Sequence, residues 1–296
     1  MELQKKHFIR FYLLLMLAFS VAAGQAQALK TIAAEKNRKT NIEKILNEKE
    51  WNELFPNRYG MENTDSKVKT KDFYSFKAFV AAAKAFPLFL SEGDETTQKR
   101  ELSAFLANIA QETTGGWKDA PGGYFKWGLY FLKEGDKNAG SYIDLGEVSA
   151  EFYPPVKGKK YYGRGPKQLS WNYNYGQFSQ AWFGSKDTLL QNPDYLVQDP
   201  VVSFASAIWF WMSAQAPKPS CHNVMAGKWK PTPEDIKYGR LPGFGATLNI
   251  INGGVECGKP EGQRTKYRYD YYKYFCQFFK VSPGDNIDCR DQKPFK

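Results

Sequence analysis

The residues best placed to do chemistry are two glutamates, Glu112 and Glu134. Upstream of Glu112, Leu102, Phe105, Leu106 and Ile109 recur at the spacing of a buried helix face, which predicts a helix over residues 97–112. Thr113-Thr114-Gly115-Gly116 then ends it. Glu112 is thus placed at the negative end of a helix dipole, where a carboxyl holds its proton more readily. Glu134 lies 22 positions further on, after a turn at residues 119–123 and a short apolar segment at 127–133. Two carboxyls carried by separate elements can face each other across a cleft. One then donates a proton to a leaving oxygen while the other activates water or attacks, the chemistry that splits a glycosidic bond. Spacing alone does not establish the pair, because a Glu at a helix end is more often a solvated surface residue.

A second set of residues suits the substrate of such a reaction. Tyr161-Tyr162-Gly163-Arg164-Gly165-Pro166, followed by Gln168, Ser170, Tyr173 and Asn174, sets amides and hydroxyls beside aromatic rings. Rings stack on sugar faces and amides grip hydroxyl and acetamido groups, so the mixture fits a neutral, N-acetylated glycan. The alternative is a Gly-rich structural turn. Gly163-Arg164-Gly165 is no dinucleotide fingerprint, since no strand-turn-helix context follows it. Asn252-Gly253-Gly254 with Glu256 reads as a polar turn. Arg268, in a Tyr-rich helix, is either a surface cation or a buried partner that steers a carboxylate. Lys218, stiffened between Pro217 and Pro219, is either a solvated loop lysine or one that reaches a substrate.

Scarcity narrows the chemistry further. His7 and His222 are the two histidines, which excludes a His-rich metal site. A Ser-His-Asp arrangement would have to use His222, which reads as structural. Catalysis therefore falls to carboxylates, with no metal or organic cofactor expected. Cys221, Cys257, Cys276 and Cys289 contain no C-x-x-C, and their spacing leaves three full pairings open. The formal charge of +10 comes with no basic repeat or nucleic-acid signature, so nucleic acid is not an expected partner. Aromatic residues make up 16% of the chain, a surplus that hints at a sugar-stacking surface.

Lys5, Lys6 and Arg10, the apolar run at 11–23 and Ala26-Gln27-Ala28 have the form of a signal peptide cleaved near Leu29; an uncleaved anchor is the alternative. The expected organisation is a signal peptide at 1–28, a polar leader at 29–40 and one catalytic domain at 41–296. The mature product is then an exported, soluble monomer with no membrane partner. Helices are predicted over 41–54, 74–86, 97–112, 201–214 (behind an Asp199-Pro200 start) and 263–280. Residues 135–158 and 217–245 read as long loops, 161–175 as short strands and turns, and 249–254 as a turn. The class is mainly α with a small β element.

Six blocks carry a resemblance to a known family. They are Glu112-Thr113-Thr114-Gly115-Gly116-Trp117, residues 161–175, Ala207-Ile208-Trp209-Phe210-Trp211-Met212, Pro242-Gly243-Phe244-Gly245, Ile250-Ile251-Asn252-Gly253-Gly254 and Gln292-Lys293-Pro294-Phe295. In this order they resemble the plant-type chitinases of glycoside hydrolase family 19, from about residue 45 to the C-terminus. The resemblance implies a lysozyme-like, two-lobed helical fold with a substrate cleft. It implies endo-acting cleavage of β-1,4-linked N-acetylglucosamine in chitin, by single displacement with inversion. Position by position, it makes Glu112 the general acid, Glu134 the general base and Ser170 the hydroxyl that helps hold the attacking water. Gln168, Tyr173, Asn174, Asn252 and Lys218 match substrate-binding positions. Trp117 and Tyr153 are added to them, Tyr153 standing where the family commonly has a stacking Trp. Glu256 and Arg268 match a network that orients the base.

The resemblance also pairs Cys257 with Cys289, leaving Cys221 and Cys276 free or joined to each other. Departures are Gln111, where the family often has His, and Tyr130, which replaces a disulfide cysteine. Two plant-type disulfides are missing, as is a Cys-rich chitin-binding module, which implies weaker action on crystalline than on soluble chitin. Two other functions compete: a peptidoglycan-cleaving wall hydrolase, which shares the fold, and a non-catalytic chitin-binding protein. The long loops at 135–158 and 217–245 speak against the first. Retention of Glu112, Glu134 and Ser170 together speaks against the second.

Overall fold

The structure, a computed structural model, describes residues 41–59, 72–135, 140–260 and 262–295. The expected signal peptide, the leader and most of the loop at 57–71 lie outside the described residues. Among these described residues twelve α-helices and two 3₁₀ helices follow in chain order, and none is long and apolar enough to cross a membrane.

The first expected helix is two, α1 (Ile42–Ile45) and α2 (Glu48–Leu54). Asn47 divides them: its side chain accepts from the Glu50 amide at 3.0 Å, and its own amide donates to Glu50 at 2.9 Å. This capping box starts a new helix where apolar spacing alone would run on. α3 (Phe76–Ala83) starts at a Ser75 cap and stops short of Pro87. α4 (Glu95–Glu112) begins where Asp94 accepts from the Thr97 amide, and it ends, as predicted, at Glu112.

The long loops are less irregular than their composition suggests. α5 (Glu147–Phe152) lies in the first. α9 (Cys221–Met225) and α10 (Pro233–Lys237), capped by Ser220 and Thr232, lie in the second. Between them come α6 (Asn172–Phe183), α7 (Asp187–Gln191) and α8 (Pro200–Met212), the last capped by Asp199 as expected. α11 (Phe244–Glu256) and α12 (Gln263–Phe278) complete the chain.

The turn expected at 249–254 is therefore helical, with a kink at Asn252. Tertiary contacts override the weak propensity of Asn and Gly here. The buried Asn249 amide donates to Gln292 and to the Lys293 carbonyl, and its oxygen accepts from the Phe295 amide. The C-terminal segment is thereby docked on α11. Cys257 at the end of α11 is disulfide-bonded to Cys289, while Cys221 and Cys276 are both free and buried. The small β element amounts to isolated bridges, two of which, Lys133 with Arg164 and Arg164 with Leu169, lie beside the site.

The core is built around α4, whose residues 101–110 are all buried. α12 packs along α4, and α8 packs on α3. Phe79 stacks on Phe105 at 5.8 Å and on Trp51 at 5.3 Å. The largest fully buried side chains are all aromatic, so most of the aromatic surplus is core rather than a sugar platform. Each such ring contributes about 1.5–3 kcal/mol by leaving water. His222 is structural. It holds the fully buried Glu101 of α4 at 2.7 Å, and Glu101 also accepts from the Trp211 indole of α8 at 3.0 Å. Burial alone would lower the imidazole pKa, but Glu101 and Glu92 outweigh it and raise it, favouring the charged ring.

Candidate active site

A cleft of about 820 Å³ opens at the C-terminal end of α4. Glu112 enters it from the last turn of that helix. Thr113 ends the helix compactly: its hydroxyl donates back to the Ile109 carbonyl and accepts from the Leu129 amide. Close packing explains the glycines that follow, since a Cβ on Gly115 would collide with the Tyr130 ring. Tyr130 thus fills with an aromatic ring the place where a disulfide cysteine was expected from the resemblance.

Glu134 enters the same cleft from a different element. Its amide donates to the Gly163 carbonyl at 2.9 Å, and the Lys133–Arg164 bridge precedes it. This stitches the segment carrying the carboxyl to the loop at 163–170. Arg164 anchors that loop from within: it is 2% exposed, pairs with Asp194 at 2.8 Å and donates to the Tyr175 hydroxyl. A Cβ on Gly163 would meet the Gln168 side chain, its Oε1 at 2.7 Å and its Cβ at 3.0 Å. Gly165, at φ +74°, would meet Ser203 at 2.8 Å. Gln168 and Trp171 hold positive φ of 52° and 77°, strain of about 1–3 kcal/mol each of the kind found at binding sites.

Most of the sequence-predicted residues meet here. Gln168, Ser170, Tyr173, Asn174, Lys218 and Asn252 line the cleft with Glu112 and Glu134. The Ser170 hydroxyl donates to the Gln168 carbonyl at 2.9 Å, and the Asn174 amide donates to the Ser170 carbonyl at 2.9 Å. The Lys218 ammonium donates to the Ile250 carbonyl at 3.1 Å beside the α11 kink. Burial lowers its pKa, and the neighbouring Lys167 adds to that. Two predicted residues are elsewhere. Trp117 is half exposed and packs on Trp127 at 5.0 Å, outside the cleft lining. Tyr153 is not in the lining either; its ring packs on Gly176 of α6, where any side chain would displace it.

The charged network differs from expectation in what it holds. Arg268, expected with Glu256 to orient Glu134, pairs with Glu112 instead, and Glu256 holds Arg268. Arg268 donates to both oxygens of Glu256 at 3.0–3.1 Å, to Glu112 Oε1 at 2.8 Å and to Asn108 at 3.3 Å. Asn252 adds a hydrogen bond to Glu256 at 3.0 Å. The packing of α12 along α4 decides this, because it brings Arg268 against the last turns of α4. Lys167, which the sequence reading passed over inside a segment it singled out, lies 3.3 Å from the same Glu112 oxygen. Tyr142, from the long loop, donates to Glu134 at 3.1 Å. Burial and then Glu134 raise the Tyr142 pKa, so this hydroxyl keeps its proton and remains a donor. Gln111 accepts from the Tyr124 hydroxyl at 3.0 Å.

The electrostatics of Glu112 overturn the helix-end expectation. Burial pushes its carboxyl up, but the charges of Arg268 and Lys167 outweigh burial and hold it below the ordinary glutamate range. Both cations meet Oε1, and Oε2 has no hydrogen-bond partner among the described residues. In the substrate-free protein Glu112 is ionised at neutral pH.

Two carboxyls presented by separate elements, among amides and aromatic rings and within a helical frame, place the chain among the glycoside hydrolases. The known proteins it resembles make the assignment specific. Over residues 50–289 it matches the family described as Chitinase class I, and it belongs to that family, the family 19 chitinases. It is 51% identical over 231 residues to Endochitinase A2 of Pisum sativum, covering 78% of this chain and 68% of that one. It is equally 51% identical over 231 residues to Inactive chitinase-like protein 1 of Hevea brasiliensis, with 78% and 71% covered. Among solved structures, chitinase C from Streptomyces griseus HUT6037 matches with a TM-score of 0.62 at 31% identity, over 83% of this chain and 97% of that one.

Proposed function

We propose that this chain is an exported endo-chitinase that cleaves β-1,4-linked N-acetylglucosamine polymers with inversion, Glu112 acting as acid and Glu134 as base. Family likeness extends to a relative named inactive, so one observation carries the proposal: Glu112 and Glu134 line one cleft from different elements, with Glu112 Oε2 unpartnered among the described residues. A protonated Oε2 donates to the linkage oxygen as the bond to the anomeric carbon breaks. Glu134 takes a proton from a water that attacks the opposite face, and Ser170 helps hold that water. A β-linkage then yields an α-anomer. Glu112 takes up its proton when the sugar fills the cleft, because displaced water adds to the desolvation that already pushes its carboxyl up. Arg268 and Glu256 steer the acid rather than the base.

One observation favours a second reading. Among the described residues five cations line the cleft, Lys133, Lys167, Lys218, Arg264 and Arg268, against three acids, Glu112, Glu134 and Glu256. Such an excess suits the anionic glycan of a bacterial wall. Sugar release from glycol chitin and from purified walls separates the two. Faster release from glycol chitin is expected; release from walls alone would reject the chitinase reading.

A further inference from the structure

The geometry points to Lys167 as a positioning residue for Glu112, sharing one carboxylate oxygen with Arg268 so that the catalytic proton is carried on the other. This rests on the acid role of Glu112 proposed above. Lys167 Nζ lies 3.3 Å from Glu112 Oε1, and Arg268 Nη2 lies 2.8 Å from the same atom. A proton on Oε1 would face two cations. On Oε2, which has no hydrogen-bond partner among the described residues, it faces neither.

Arg268 alone does not fix which oxygen is which. Its guanidinium is largely committed to Glu256 and Asn108, and the terminal torsion of a glutamate is soft. A second cation from a separate element resists the exchange of the two oxygens. Lys167 is built to stay there. Its side chain is 11% exposed, and its ammonium lies 4.9 Å from the centre of the Phe210 ring on α8. None of the other charged and titratable groups around it offers a competing anion. Lys218, before α9, is a cation that repels it. The Cys221 thiol of α9, pushed up to about 12 by burial, stays neutral and offers no competing anion. Glu256 is taken up by Arg268.

The consequence is a pH range as well as a geometry. A cation beside a carboxylate favours the ionised form, so removing Lys167 lets Glu112 keep its proton to higher pH. The test compares kcat/KM against pH on chitohexaose for the wild type, Lys167→Met and Lys167→Arg. In Lys167→Met the alkaline limb is expected to move up by about one pH unit, the low end of the effect of a charge this close. Its kcat should fall about tenfold through the freed carboxyl, with KM little changed. Lys167→Arg should keep the wild-type limb. An unmoved limb in Lys167→Met, or a uniform loss at every pH, overturns the proposal. A second measurement needs no variant: the carboxyl ¹³C resonance of Glu112 in the free wild-type protein. It should titrate below the ordinary glutamate value of about 4.3, and titration at or above that value overturns the proposal. Failure here is distinct from failure of the acid assignment, which would show as an active Glu112→Gln enzyme.

Discussion

Glu112→Gln is expected to lose turnover by a factor of about 10²–10⁴ while still binding chitohexaose, because an amide keeps the shape of the acid and cannot give up a proton. The surroundings explain why the loss should be confined to chemistry. The amide oxygen can accept from Arg268 and Lys167 as Oε1 does now, so the clamp survives without the negative charge. Arg268 keeps Glu256 as its charge partner at 3.0 Å, while Lys167, 11% exposed, loses its anion and keeps only the amide oxygen as acceptor. The cleft-lining residues proposed to hold the sugar, among them Gln168, Tyr173 and Asn252, are untouched. Initial rates on soluble chitin oligomers, with calorimetry for binding, read both halves. Activity within tenfold of wild type would remove Glu112 from its role, and loss of binding would mean that the change had disturbed the cleft.

Arg268→Met carries the largest expected cost in stability. The guanidinium is 3% exposed and Glu256 is 4% exposed, so removing the cation leaves a carboxylate buried without its charge partner. Breaking a buried pair in this way costs about 3–5 kcal/mol. That is a large share of the roughly 5–15 kcal/mol that keeps a domain folded. Urea unfolding at pH 7 should show the loss. Its pH dependence has a defined sign. The folded-state pKa of Glu112 is depressed, so its pairing stabilises the protein above the unfolded value and is lost as pH falls through the folded one. The gap between wild type and Arg268→Met should therefore narrow in acid. A cost under about 1 kcal/mol at pH 7 would mean that the network is not the buried charge cluster described.

What the sequence made legible was local. The apolar spacing of residues 102–109 and the Thr-Thr-Gly-Gly stop located the helix end that carries Glu112, since periodicity and chain breakers act over a few residues. The Asp199-Pro200 start of α8 was readable for the same reason. Long-range contacts were not. Asn249 to Gly254 looked like a turn because nothing nearby reveals that the C-terminal segment will dock there. Arg268 could be recognised as a partner for some carboxylate, but which one depends on α12 lying along α4. Lys167 was not legible because a lone lysine in a Gly-rich loop is ordinarily solvated, and the Phe210 ring and the Glu112 carboxylate that it meets come from distant parts of the chain. The resemblance put Trp117 and Tyr153 among the substrate-binding positions, and packing on Trp127 and on α6 takes them out of the cleft lining.

The pairing of Glu112 with Glu134 through a single attacking water is tested most directly by following chitohexaose digestion with proton NMR from the first turnover. The new reducing end should appear as the α-anomer and only later relax toward the mixture by mutarotation. A β-anomer formed first would contradict the account, because it would require a retained configuration and a different use of the second carboxyl.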